Sequence, residues 1–106
     1  MTFVTVEKEN GHVVKICAKG HSGYADAGED IVCAALSSVM QTAVLGLKSV
    51  VGVDFIYETG DGELFVSIGK LNGEDRHNAD IVLDTMLCGI ADLAEGYSQY
   101  IKLEVK

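Results

Sequence analysis

The first twenty residues alternate apolar and polar side chains with a period of two, which is typical of β-strands with one buried face. The pattern predicts strands over Thr2 to Lys8 and His12 to Lys19. Between them lies the pair Asn10 and Gly11, a combination that favours a tight hairpin turn because both turn positions need a positive φ. The chain is therefore expected to begin with a β-hairpin.

Two longer segments repeat their apolar residues at the spacing of an α-helix. The first follows Glu29 or Asp30, either of which can cap it, and is expected to end near Gly52. Its apolar positions are Val32, Leu36, Val39, Met40, Ala43 and Leu47. The second runs from about His77 to Gly96, with Ala79, Val82, Leu83, Met86, Leu87, Ile90 and Leu93 on one face. Both patterns predict amphipathic helices with an apolar stripe turned to the core.

The remaining segments complete a regular order of elements. A second hairpin is predicted over Val53 to Glu58 and Glu63 to Lys70, turning through Gly60, Asp61 and Gly62. A polar connection over Leu71 to Arg76 precedes the second helix, and Tyr97 to Val105 is predicted as a last strand. The order ββαββαβ predicts an α/β (α+β) fold in which a mixed sheet carries two packed helices, with residues 1–106 forming one domain.

One apolar stretch, Ile31 to Val53, is long enough to span a bilayer and carries a single charge, at Lys48. Its middle contains four polar residues: Ser37, Ser38, Gln41 and Thr42. We therefore interpret it as a buried helix and expect no membrane association. The N-terminal segment alternates like a strand and lacks the basic head and apolar centre of a signal peptide, so a cytoplasmic location is expected.

Charge and cysteine content narrow the function further. The net charge is −8, with only eight lysines and arginines in 106 residues, so direct nucleic-acid binding is not expected as the main role. A basic partner suits this acidity better. Cys17, Cys33 and Cys88 form no Cys-x-x-Cys pair, and the histidines and cysteines show no metal-ligand spacing. We expect a reducing compartment, no metal and no cofactor.

Cys33 is the candidate nucleophile, because it falls in the first turn of the predicted first helix. Backbone N–H groups and the helix dipole favour a thiolate there and could also bind an oxyanion. His21 lies twelve residues earlier, in the glycine-rich loop from Gly20 to Gly28, from which its imidazole can reach the helix start. Asp30 would either orient that imidazole or only cap the helix.

The alternative is that Cys33 is a buried core residue, as cysteines often are. Cys17, in a strand, and Cys88, in the middle of a helix, are expected to be core residues. Ser37 and Gln41 follow Cys33 at intervals of four, so the three share a helix face and could line a cleft. Equally, Ser37 and Gln41 could only cover the polar side of the helix.

The loop and the helix start together carry a specific motif. It consists of Gly20, His21, Ser22, Gly23 and Tyr24, then Gly28, Asp30, Ile31, Val32, Cys33, Ala34, Ala35 and Ser37. This run resembles the signature of the bacterial ribosomal-processing cysteine proteases. The rest of the chain resembles that family more loosely, through its length, its element order and its tyrosine-containing last strand.

The resemblance implies roles for the residues of the motif. The family's nucleophile falls on Cys33, its histidine on His21 and the assisting aspartate on Asp30. Gly20 matches the glycine that lets the loop move, and Ser22 a position that can line the cleft. Gly23 belongs to the same loop, which we expect to be open or disordered without peptide and to close when a peptide binds.

The resemblance also implies a substrate and an assembly. Members are small α/β proteins, usually homodimers, that remove a short N-terminal extension from large-subunit ribosomal protein twenty-seven. Ribosome assembly depends on that cut in the bacteria that carry the extension. Because the body of the ribosomal protein is basic, an acidic enzyme would meet it favourably.

Two other functions remain open at this stage. One is a different Cys/His chemistry, such as a thiol-dependent acyl transferase. The other is a non-enzymatic acidic interaction module that binds a ribosomal protein or an assembly factor, with Cys33 merely buried. An interaction module predicts an inert Cys33, whereas both enzymes predict that Cys33 is alkylated faster than Cys17 or Cys88.

Overall fold

The computed structural model describes residues 1–21, 23–26 and 30–106. Its strands are β1 (Thr2–Glu9), β2 (His12–Lys19), β3 (Ile56–Gly60), β4 (Glu63–Ser67) and β5 (Ile101–Val105). Its helices are α1 (Ile31–Gly46), which continues into a π-helical turn (Leu47–Val51), and α2 (Gly73–Gly96). The predicted order ββαββαβ is confirmed.

The strands form one mixed sheet in the order β3–β4–β2–β1–β5. β1 pairs with β2 antiparallel and with β5 parallel, while β4 pairs antiparallel with both β2 and β3. The first hairpin turns as predicted, because Asn10 and Gly11 have φ values of +52° and +81°. Since β4 lies beside β2, the tip of the second hairpin reaches the end of β2 at which the predicted loop begins.

The core lies between one face of this sheet and the two helices. It contains Val4, Val6, Val13, Ile16, Ala18, Leu64, Val66 and Ile101 from the strands, and Val32, Leu36, Met40, Ala43, Val44, Ala79, Leu83, Met86 and Ile90 from the helices. Burial of these side chains is the main stabilising contribution, at about 25 cal/mol per Å² of apolar surface. The opposite face of the sheet carries alternating residues such as Phe3, which is exposed.

The segment Ile31–Val51 is long and apolar enough to cross a membrane by length and composition alone. In the fold one side of it packs in the core, through residues such as Val32, Leu36 and Leu47. The other side is open, since Leu45 and Val50 are exposed. The prediction of a buried helix therefore holds for one face only.

Several predicted boundaries are wrong by a few residues. α2 begins at Gly73 and not at His77, because Asn72 caps it by accepting a hydrogen bond from the Asp75 N–H at 3.0 Å. Its first turn contains polar residues, so apolar periodicity does not reveal it. β5 begins only at Ile101, after a turn whose Tyr100 N–H donates to the carbonyl of Tyr97.

Candidate active site

The N-terminus of α1 is organised by Asp30. Its Oδ1 accepts the N–H groups of Val32 at 3.0 Å and Cys33 at 2.9 Å. Its carbonyl accepts the N–H of Ala34 at 3.1 Å. Asp30 is thus the helix cap, which is the second of the two roles predicted for it. The N–H groups of Val32, Cys33 and Ala34 are thus bonded to Asp30, and binding of an oxyanion by the first turn stays a prediction.

Cys33 is the third residue of α1 and its side chain is half-buried. It lies at the surface of a cleft and not in the core, so the alternative of a core cysteine is wrong. The hydrogen bond from its backbone N–H to the Asp30 carboxylate holds Cys33 in the first turn of α1.

Gly20 ends β2 at a position that only glycine can occupy. Its φ is +98°, and a Cβ on this residue would lie 2.6 Å from the carbonyl oxygen of Met1. Its N–H donates to the carbonyl of Gly62 at 2.8 Å, which ties the start of the predicted loop to the turn between β3 and β4. The family role of letting the loop move stays a prediction, and the structure adds a steric reason for glycine.

His21 lies against the same turn. Its Nε2 is 3.7 Å from Oδ1 of Asp61 and 2.9 Å from the place that a Cβ on Gly62 would occupy. The imidazole is 60% exposed, so neither contact buries it. The histidine is thus held at one edge and open to solvent at the other.

His21 and Cys33 line one solvent-open cleft of about 280 Å³. Gly20, Ser37 and Gln41 line it as well, while Leu36, Met40 and Leu64 add apolar surface. The predicted common face of Cys33, Ser37 and Gln41 is therefore turned towards the cleft. A second hollow is lined by Asp26, Asp30 and Ala34 and shares His21, Cys33 and Ser37 with the first.

The described part of the loop carries one aromatic anchor. Gly23 has a φ of +77°, and the ring of Tyr24 then packs edge-on against Tyr97 and Tyr100, with centroids 6.2 Å and 5.3 Å apart. These contacts link the loop to the turn before β5 and are typical of T-shaped aromatic pairs. The predicted residue Ser22, together with Gly28 and the alternative cap Glu29, lies outside the described residues.

The other two cysteines differ from expectation. Cys88 is exposed on α2 and Cys17 is half-buried in β2, so the prediction that both are core residues is wrong. Each sits on a face that the core does not use. Within residues 1–21, 23–26 and 30–106, no group of three or more His, Cys, Asp and Glu side chains is arranged to hold a metal ion.

Sequence reasoning missed Asp61 and Gly62 as neighbours of His21. The glycine-rich triplet around Asp61 predicted the turn, but no local signal connects residue 61 to residue 21. The connection arises because β4 pairs with β2, with Glu63 opposite Lys19. Predicting that Asp61 and Gly62 lie beside His21 would have required a prediction of the strand order.

Comparison with known proteins agrees with this geometry. The profile of the family described as cysteine protease Prp matches residues 1–102. A relative from Staphylococcus aureus, the ribosomal processing cysteine protease Prp, is 31% identical over 106 residues, covering 97% of this chain and 95% of its own.

Solved structures show the same fold. An essential ribosomal processing protease Prp from S. aureus, in complex with a covalently linked product peptide, superposes with a TM-score of 0.90 at 26% identity, with both chains covered to 100%. The S. aureus protease in complex with a substrate peptide has a TM-score of 0.84 at 24% identity, again over 100% of each chain, and supports the fold. The chain belongs to the cysteine protease Prp family and is a cysteine-type protease.

Proposed function

We propose that the chain is an endopeptidase that removes the N-terminal extension of a large-subunit ribosomal protein, ribosomal protein twenty-seven, with Cys33 as nucleophile and His21 as general base and acid. The observation that carries the proposal is that these two side chains, from different elements, line one open cleft. The names of the relatives, which are ribosomal processing proteases, support the choice of substrate.

The chemistry follows from the two side chains. His21 takes the proton of the Cys33 thiol, and Sγ attacks the scissile carbonyl carbon to form a C–S bond and an oxyanion. The oxyanion collapses, the C–N bond breaks, and His21 gives its proton to the leaving amine. Water then attacks the thioester, losing a proton to His21, and releases the extension as an acid and Cys33 as a thiol.

The oxyanion needs donors other than the first-turn N–H groups that Asp30 occupies. Ser37 lies one helical turn beyond Cys33, about 6 Å along the axis, whereas Gln41 lies about 12 Å away. We therefore assign the Ser37 hydroxyl to the neighbourhood of the oxyanion and Gln41 to a more distant part of the peptide. Asp30 supports Cys33 by capping the helix.

The cleft also suits a peptide of this origin. Leu36, Met40 and Leu64 are core residues that form the apolar floor of the cleft, which suits an apolar side chain near the cut. Glu63 lines the same cleft, and the whole chain carries a net charge of −8, which attracts the basic body of the ribosomal protein. We propose that the protein acts on its substrate in the cytoplasm and as a homodimer, which light scattering at micromolar concentration would show as twice the chain mass.

The direct test uses a peptide that copies the N-terminal extension of the ribosomal protein and the residues after it. Wild-type protein, Cys33→Ala and His21→Ala are each incubated with the peptide, and fragment masses are read by mass spectrometry. We expect one cut with the wild type and none with either variant. No cut by any of the three proteins, with the peptide still bound, would favour an interaction module.

Thiol reactivity provides a second test that needs no substrate. Cys88 is exposed and Cys33 only half-buried, so accessibility alone predicts that iodoacetamide modifies Cys88 first. We expect the reverse order, because His21 can accept the proton of Cys33 as the thiol reacts. In His21→Ala the modification of Cys33 should slow while that of Cys88 stays unchanged, which makes Cys88 an internal reference.

A further inference from the structure

Three observations place the turn between β3 and β4 against Gly20 and His21. The Gly62 carbonyl accepts the N–H of Gly20 at 2.8 Å, which fixes the residue before His21. The imidazole lies over the Cα of Gly62, where a Cβ would come within 2.9 Å of Nε2. Oδ1 of Asp61 lies 3.7 Å from the same nitrogen. We propose that this turn is a platform that positions His21 for catalysis, with Gly62 and Asp61 as positioning residues.

The proposal rests on the proposed function, and it adds a partner for His21 on another element. A general base needs one ring nitrogen directed at the thiol and gains from a group that fixes the other nitrogen. With Nε2 directed at Asp61, Nδ1 is the nitrogen left to accept the proton of Cys33. The contact of 3.7 Å is longer than a hydrogen bond, so Asp61 acts on Nε2 through its charge.

Asp30 is the other carboxylate that could orient the imidazole. Its Oδ1 already accepts two backbone N–H groups of α1, and its side chain is buried at the helix start. Asp61 is 98% exposed at the tip of a hairpin, and no hydrogen bond between described residues joins its carboxylate to a backbone N–H. Asp30 caps the helix that carries Cys33 and lines the same hollow as His21, whereas Asp61 reaches Nε2 of His21 from another element.

Gly62 matters for a steric reason as well as for its backbone. Its φ is +67°, so any other residue strains the turn, and an added Cβ also pushes the imidazole away. Gly11 in the turn between β1 and β2 offers a matched control. Its φ is +81°, but nothing lies within 4 Å of the place its Cβ would occupy. Alanine at either position strains a two-residue turn, and only alanine at Gly62 meets the histidine.

The experiment compares Gly62→Ala with Gly11→Ala in steady-state cleavage of the extension peptide, with thermal unfolding of both variants. We expect Gly62→Ala to lower kcat about 10- to 100-fold with KM changed less than about twofold, because a displaced base affects the chemical step. Gly11→Ala should lose as much thermal stability but leave kcat within about twofold. Equal kcat values for the two variants would overturn the proposal.

Asp61→Asn removes the charge without straining the backbone. It therefore tests whether the turn positions His21 even if Gly62→Ala folds poorly. Its control is Asp54→Asn, which removes the same charge from an exposed position before β3. We expect kcat to fall about threefold in Asp61→Asn alone, as suits an exposed ion pair. Identical kcat values for the two asparagine variants would remove Asp61 from the platform.

His21→Ala separates this proposal from the proposed function. Full loss of cleavage in His21→Ala combined with normal kcat in Gly62→Ala would overturn the platform and leave the peptidase intact. Persistent cleavage by His21→Ala would overturn the assignment of His21 as the base, and the platform with it.

Discussion

Two His–Asp contacts among the described residues lie at opposite ends of β2, and they differ in almost every physical respect. His12 begins the strand, and its Nδ1 lies 2.6 Å from Oδ2 of Asp80, with the two side chains 41% and 20% exposed. His21 follows the strand, and its Nε2 lies 3.7 Å from Oδ1 of Asp61, with exposures of 60% and 98%. One pair is short and half-buried, and the other is long and open.

The short pair belongs to a network that joins separate elements. Asp80 also accepts a hydrogen bond from Nε of Arg76 at 2.9 Å, and the Arg76 guanidinium donates to the carbonyl of Val13 at 3.1 Å. The network ties the first hairpin to α2. The long pair is an exposed contact that contributes little to folding. The short pair therefore contributes to stability, whereas the proposed function gives His21 a chemical role.

The largest expected effect separates the two histidines. His21→Ala should lower kcat/KM by at least about 10³-fold, because general base catalysis is lost, and leave the free energy of unfolding nearly unchanged. His12→Ala should keep kcat/KM within about twofold and lower the free energy of unfolding by about 1 kcal/mol. Peptide cleavage and urea unfolding of both variants measure this. Similar cleavage defects in the two variants would break the comparison.

The next effect concerns the two aspartates. Asp80→Ala should lower the free energy of unfolding by about 2–3 kcal/mol, since it leaves the largely buried Arg76 guanidinium without its carboxylate. Asp61→Ala should change the free energy of unfolding by less than about 0.5 kcal/mol. Urea denaturation curves with equal m values would give both numbers. A loss of more than 1 kcal/mol (roughly twice the expected limit) in Asp61→Ala would show that the exposed pair is structural.

A smaller effect tests whether His21 has Asp30 as a second carboxylate partner. Asparagine caps helices about as well as aspartate, so Asp30→Asn should keep the free energy of unfolding, whereas Asp30→Ala should lose about 1 kcal/mol. If capping is the role of Asp30, kcat in Asp30→Asn stays within about threefold of the wild type. A loss comparable to that of His21→Ala would make Asp30 the orienting residue that the family resemblance implies.

The smallest effect is the salt dependence of the two pairs. Raising the salt concentration to about 1 M shortens the Debye length to about 3 Å, which screens exposed charges far more than buried ones. We therefore expect the effect of Asp61→Asn on kcat to shrink in high salt, while the destabilisation by Asp80→Ala persists. Both are read from the assays above, repeated at two salt concentrations. An Asp61→Asn effect that is independent of salt would argue against an electrostatic contact.

Local sequence alone determined much of this protein, wherever a few neighbouring residues decide the conformation. The positive φ values of Asn10 and Gly11 turn the first hairpin, Asp30 caps α1, and Gly52 ends the first helical segment with a φ of +77°. Apolar periodicity indicated both helices and the sheet. Apolar periodicity missed the start of α2, because the first turn of that helix is polar. It also predicted a strand from Tyr97 to Tyr100, where the structure has a turn.

The candidate site also has one part that local sequence determined and another that depends on the tertiary structure. Cys33, His21 and their neighbours form a recognisable motif because they lie within a short stretch of chain. The place of His21 in space depends on the strand order, which brings β4 beside β2 and the Asp61–Gly62 turn beneath the imidazole. Such pairing is set by how both strands bury their apolar faces under the helices, a non-local balance that no window of sequence contains. The sequence by itself therefore determined which residues form the candidate pair, and only the tertiary structure decided what holds the histidine.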